Sequence, residues 1–181
     1  MVRRGGGSFR PASSFFSDAM PKTLADWLRL AGCVVLCNAA GALGALTTVT
    51  GGGTWYASLT RPPLSPPSWV FGPVWTLLYT LMGIALWLLW QRWHGPARRR
   101  KRALGLFAVQ LALNAIWTPV FFGAQALGIA LAVIVSMLAA IAATMVAARP
   151  VCAAVPWLLL PYLLWVSFAT YLNAAFWLLN R

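Results

Sequence analysis

From Phe71 to Trp90 the chain reads FGPVWTLLYTLMGIALWLLW, twenty residues without a single charge, and no other feature limits the fold as much. At about 1.5 Å per residue, a helix of that length crosses a hydrocarbon core of roughly 30 Å. The approach to it carries Pro62, Pro63, Pro66 and Pro67, which hold the chain extended and remove backbone donors. Helix therefore starts only near Ser68, a polar cap followed by Trp69 as an interface anchor, with Pro73 at a first-turn position that tolerates it. The stretch predicts a membrane helix entered through a stiff, tryptophan-bearing loop.

Composition excludes a water-soluble globule. Charged residues are 9% and apolar residues 61% of the chain, against about 25% charge in soluble domains. The acids are Asp18 and Asp26 and the one histidine is His94. Paired-carboxylate chemistry, a metal cluster and a Ser/His/Asp triad are therefore unsupported, and no metal site is expected. Cys33, Cys37 and Cys152 have neither metal-site nor redox spacing and read as small packing residues.

In chain order, residues 1–22 form a basic tail with Arg3, Arg4 and Arg10, expected to be disordered. It fits an organelle targeting peptide and a cytoplasmic extension alike. A first helix is expected over residues 23–48, with Thr23 and Asp26 as a capping box; its apolar run is too long for a typical cleaved signal. Cys33, Cys37, Gly41 and Ala45 recur along it at every fourth position, a small-residue stripe for close helix approach, and Gly44 is a candidate pocket lining. A second helix over 69–92 leads into QRWHGPARRRKR, where Gly95 and Pro96 break the helix and His94 is solvated. The run from Arg98 to Arg102 reads there as a loop charge that holds the cytoplasmic side and touches anionic membrane lipid, not as a nucleic-acid site.

A third helix over 103–122 places Gln110, Asn114 and Trp117 on one face, where each amide must bond a neighbouring helix or line a cavity. After a tight turn, a fourth over 126–148 repeats Gly128, Ala132, Ser136, Ala140 and Thr144 as a contact stripe. A fifth over 155–179 accommodates Pro156 and Pro161 and spaces Trp165, Ala169 and Asn173 four apart. The fold class is thus an all-α membrane protein, a single five-helix transmembrane bundle over 23–181. Twelve of the fourteen basic residues fall on its N-terminal side and only Arg61 and Arg181 on the other. In a bacterial membrane that bias places the N-terminus in the cytoplasm; mitochondrial, plastid or ER membranes are the other hosts considered.

The wording of Trp55–Trp90, WYASLTRPPLSPPSWVFGPVWTLLYTLMGIALWLLW, resembles the signature of the TspO/MBR family of tryptophan-rich sensory proteins, translocator proteins and peripheral-type benzodiazepine receptors. LNAIWTPVFFG at Leu113–Gly123 and PYLLWVSFATYLN at Pro161–Asn173 resemble that family's third and fifth helices, in order and in register. The resemblance covers roughly Gly44 to Trp177. It implies a membrane protein that binds tetrapyrroles such as porphyrin or haem, in some members sterols or flat lipophilic drug-like molecules, often as a homodimer and without a required cofactor. The ligand set it implies is Trp75, Tyr79, Asn114, Trp117, Trp165, Phe168, Ala169, Leu172 and Asn173, beneath a lid over 51–68; Gly44 and Phe122 complete the candidates. Two positions depart from the family pattern. Leu64 stands where relatives usually place Trp between the loop prolines, and Ala174 and Leu178 stand where sterol-responsive relatives carry Tyr and Arg, which favours porphyrin over sterol.

A receptor, scavenger or sensor of tetrapyrroles is the first functional reading. A transporter would need intramembrane charges or broken helices to couple ions, and the sequence has none. An enzyme would need general acids or bases; the resemblance offers only light-dependent porphyrin breakdown at Trp75 and Trp165.

Overall fold

Asp26 donates its backbone N–H to the Thr23 hydroxyl at 3.2 Å and accepts the Thr23 N–H at its carboxylate at 3.3 Å, so the expected capping box opens the first helix. The structure, a computed structural model, describes residues 20–46, 48, 54–91 and 97–181. Expectations for the tail before residue 20, for Gly51–Gly53 of the lid and for His94, Gly95 and Pro96 lie outside the described residues. Helix α1 is Leu24–Ala45, α2 the single turn Trp55–Ser58, α3 Phe71–Gln91 entered through a 3-10 turn at Ser68–Val70, α4 Ala97–Thr118, α5 Leu127–Ala148 and α6 Ala154–Leu179. All but α2 are long and apolar enough to cross a membrane. Their outer faces present Val35, Leu43, Val146 and Trp157 at 65–75% exposure, a surface suited to hydrocarbon.

Helix α4 differs from expectation at both ends. It begins at Ala97, not near 103, and the Arg98–Arg102 run forms its first turns instead of a loop. Hydropathy marks where hydrocarbon ends, whereas arginine and lysine are good helix formers and nothing from Ala97 to Ala103 breaks the helix. At the far end Pro119 has no N–H to continue the ladder. The chain widens there into a π turn over Pro119–Gly123, closed by Ala124 N–H to Pro119 C=O at 2.8 Å, and Gln125 takes a left-handed φ of 55° before α5 starts.

Around the bundle the order is α1, α3, α6, α5, α4 and back to α1, each helix lying against the next. Glycine sets the closest approach of α1 and α3, where a Cβ on Gly83 would come within 2.5 Å of Val34 Cα. The expected α5 stripe is only half inside. Ala140 and Thr144 are buried, but Ala132 and Ser136 are exposed; the buried row is Leu127, Ala130, Ile134, Met137, Ile141, Thr144 and Ala148, in alternating steps of three and four. Four residues rotate a helix by about 400°, so a strict step of four drifts about 40° each time. The same drift turns Ala45 outward at the end of the α1 stripe and leaves Gly44 buried in its place.

Candidate functional site

Asn114 is the centre of a hydrogen-bond chain through four helices. Its Oδ1 accepts from the Tyr79 hydroxyl at 2.5 Å, its Nδ2 donates to the Tyr162 hydroxyl at 3.0 Å, and Tyr162 donates to Met137 Sδ at 3.3 Å. One amide on α4 thereby ties α3, α6 and α5. A second amide acts near the other end of α6, where Asn173 accepts the Trp117 indole N–H at 3.0 Å and donates to the Leu127 carbonyl at 2.9 Å. Both asparagines are buried, at 4% and 1% exposure, and each meets the need of a polar group in hydrocarbon by bonding neighbouring helices. Gln110, one turn before Asn114, is fully buried and neither its Nε2 nor its Oε1 has a partner.

The aromatic residues sort into two groups. Between α3 and α6, Trp75 stacks on Tyr79 with centroids 5.2 Å apart and meets Tyr162 edge-on at 6.3 Å. Trp165 lies between Phe71 at 5.9 Å and Phe168 at 5.8 Å. Its indole N–H is buried without an acceptor. The second group joins Trp117, Phe121, Phe122 and Phe176 where α4 and α6 end, and α2 seats Trp55 on Phe121 and Tyr56 on Phe122 and Phe176.

The loop is fastened to α6 over that group. Asn180 Oδ1 accepts the Thr60 N–H at 2.8 Å and Asn180 Nδ2 donates to the Thr60 carbonyl at 3.1 Å. Burial pushes the Tyr56 phenol above its ordinary pKa, against the smaller opposing effect of the Arg61 guanidinium 5.7 Å over its ring. Leu64, the departure noted in the loop, is exposed and takes a left-handed φ of 66°.

The candidate residues therefore divide between the two groups. Trp75, Tyr79, Asn114, Trp165, Phe168 and Ala169 belong to the α3–α6 side, and Trp117, Phe122 and Asn173 to the loop side. Leu172 is buried, and Gly44 faces α4, where a Cβ would lie 3.2 Å from Thr118 Oγ1. Trp165 and Asn173, spaced eight apart, stand roughly 80° apart around α6, which is why Trp165 is half-buried and Asn173 fully buried. Sequence reasoning passed over Tyr162, although eleven residues return a helix to within about 20° and so align Tyr162 with Asn173. It also passed over Phe71, Tyr56 and Phe121, although Phe121 follows Trp117 by four residues. Among the described residues no cluster of His, Cys, Asp or Glu could hold a metal ion, and Cys33, Cys37 and Cys152 are free thiols.

Comparison with known proteins covers nearly all of the bundle. Residues 33–178 match the family model described as TspO/MBR family. The translocator protein of Bos taurus is 39% identical over 155 residues, covering 86% of this chain and 92% of that protein. The translocator protein of Homo sapiens is 45% identical over 123 residues, covering 68% and 73%. The tryptophan-rich sensory protein of Cereibacter sphaeroides is 39% identical over 148 residues, covering 82% and 89%. With five apolar helices of spanning length and a family match that runs from Cys33 on α1 to Leu178 on α6, the chain is a multi-pass integral membrane protein belonging to the TspO/MBR family.

Proposed function

We propose that this protein is a membrane receptor, scavenger or sensor for flat tetrapyrroles, with porphyrin or haem held beside Trp165 between α3 and α6. The observation that carries the reading is the Trp165 indole N–H, buried and without an acceptor next to the half-buried ring of Phe168 and one turn before Ala169. A buried unpaired donor costs about 1–3 kcal/mol, a cost that a carboxylate or carbonyl of the ligand removes. Ring stacking adds about 0.5–1.5 kcal/mol per good pair beyond burial. The test is a titration of purified protein with protoporphyrin and with haem, read by tryptophan quenching and absorbance. Saturable, equimolar binding that weakens in Trp165→Phe at unchanged melting temperature supports the reading. Non-saturating partition, equal in both proteins, overturns it.

For orientation we propose the N-terminus on the cytoplasmic side. Arg29 on α1 bonds Gln91 at the end of α3 at 3.4 Å, which groups Lys22, Arg29, Arg98–Arg102 and Arg149 at one end of the bundle, opposite Arg61 and Arg181. Basic residues in short connections favour the cytoplasmic side.

A further inference from the structure

The first turns of α4 carry Arg98, Arg99, Arg100, Lys101 and Arg102 in succession, and all but Arg100, which is half-buried, are exposed. At about 1.5 Å per residue they rise up to about 7.5 Å above Ala103, comparable to the 5–7 Å or so of head-group region on each side of the hydrocarbon. Arg98, Val109 and Ile116 fall within roughly 20° of one another around the helix, with Arg102 about 40° away. Val109 and Ile116 are 51% and 48% exposed, so this is an outward, lipid-facing row. Arg98 and Arg102 thus stand directly above hydrocarbon-facing side chains, on a helix that continues the span.

Within the protein this arrangement is electrostatically unfavourable. Like charges one turn apart repel, cations at a helix start oppose the helix dipole, and the first turn of α4 contains no acid. Asp26, the one acid among the described residues, is taken up at the start of α1 by Thr23, Gln91 and Arg29. Lys22, Arg29 and Arg149 add positive charge at the same bundle end. Among the described residues no acid is left to neutralise this run, and the layer that meets it at its depth, along a lipid-facing row, is that of the lipid head groups.

We propose that the α4 collar of Arg98, Arg99, Lys101 and Arg102 is a binding surface for the phosphodiester head groups of anionic phospholipids. Guanidinium groups accept phosphate in bidentate fashion, and the long side chains reach the head groups while the helix stays in place. The inference rests on membrane insertion alone and stands apart from the tetrapyrrole reading.

The test uses full-length protein in mixed phosphatidylcholine–phosphatidylglycerol vesicles, with spin-labelled forms of each lipid reporting association. We expect phosphatidylglycerol to be preferred by roughly three-fold or more, since each basic residue near the surface attracts anionic lipid. The preference should vanish near 1 M salt, where the Debye length falls to about 3 Å. It should also fall to parity in R98Q/R99Q/K101Q/R102Q and persist in R61Q/R181Q. Should the fourfold variant not fold, R98Q/R102Q together with the salt series on unaltered protein decides the matter. No preference in the unaltered protein, or one that survives the collar variants, overturns the proposal. So does displacement by millimolar inorganic phosphate or by an oligonucleotide, which would assign the surface to a soluble anion or to nucleic acid.

Discussion

Tyr79 on α3 lies directly over Gly41 on α1, so closely that a Cβ at position 41 would fall among the Cε2, Cζ and Cδ2 atoms of the phenol ring. The same ring stacks on Trp75 and its hydroxyl is fixed by Asn114, leaving it no free direction to move. A glycine inside a helix costs about 0.5–1 kcal/mol relative to alanine, and here the absence of a side chain is what admits the ring.

Gly41→Ala should consequently destabilise the protein by roughly 1–3 kcal/mol, because the overlap outweighs the gain in helix propensity. Thermal unfolding in detergent measures it. An unchanged or raised melting temperature would mean that the two helices stand further apart.

Asn114 and Gln110 lie one turn apart and should respond in opposite ways. Asn114→Leu strands the Tyr79 hydroxyl, at about 1–3 kcal/mol, and leaves the Tyr162 hydroxyl only its bond to Met137 Sδ. Gln110→Met removes an amide that has no partner and should stabilise by on the order of 1 kcal/mol. Melting temperatures of the two variants, measured side by side, check both signs.

Ala169 is half-buried beside Trp165 and Phe168, so a larger side chain there projects toward the proposed ligand position. Ala169→Leu should leave the melting temperature near that of the unaltered protein and weaken protoporphyrin binding several-fold. If instead the variant loses roughly 1–3 kcal/mol of stability while its folded fraction binds normally, Ala169 belongs to a helix contact and not to the ligand site.

Single cysteines placed at Arg99 and Arg181, in a background with Cys33, Cys37 and Cys152 replaced, should react with impermeant reagents from opposite sides of the membrane. Labelling of both from the same side would remove one of α4, α5 and α6 from the set of spanning helices.

The spans were legible in the sequence because hydrocarbon satisfies no backbone group, so an uncharged run such as Phe71–Trp90 has only the helix open to it. The start of α1 was legible for a local reason, since Thr23 and Asp26 sit three residues apart and cap the same turn. The start of α4 was not, because hydropathy reports the edge of the hydrocarbon and the helix runs past it through Arg98–Arg102. Which side of each helix faces inward was decided by packing. Rows of four drift around the helix, so Ala132, Ser136 and Ala45 point outward although the pattern of small residues grouped them with Ala140, Thr144 and Gly41. For Asn114 the sequence left a choice between ligand and neighbouring helix. Only the ring of helices, which brings the Tyr79 and Tyr162 hydroxyls to its two ends, gives it partners, while Gln110 one turn away is left with none.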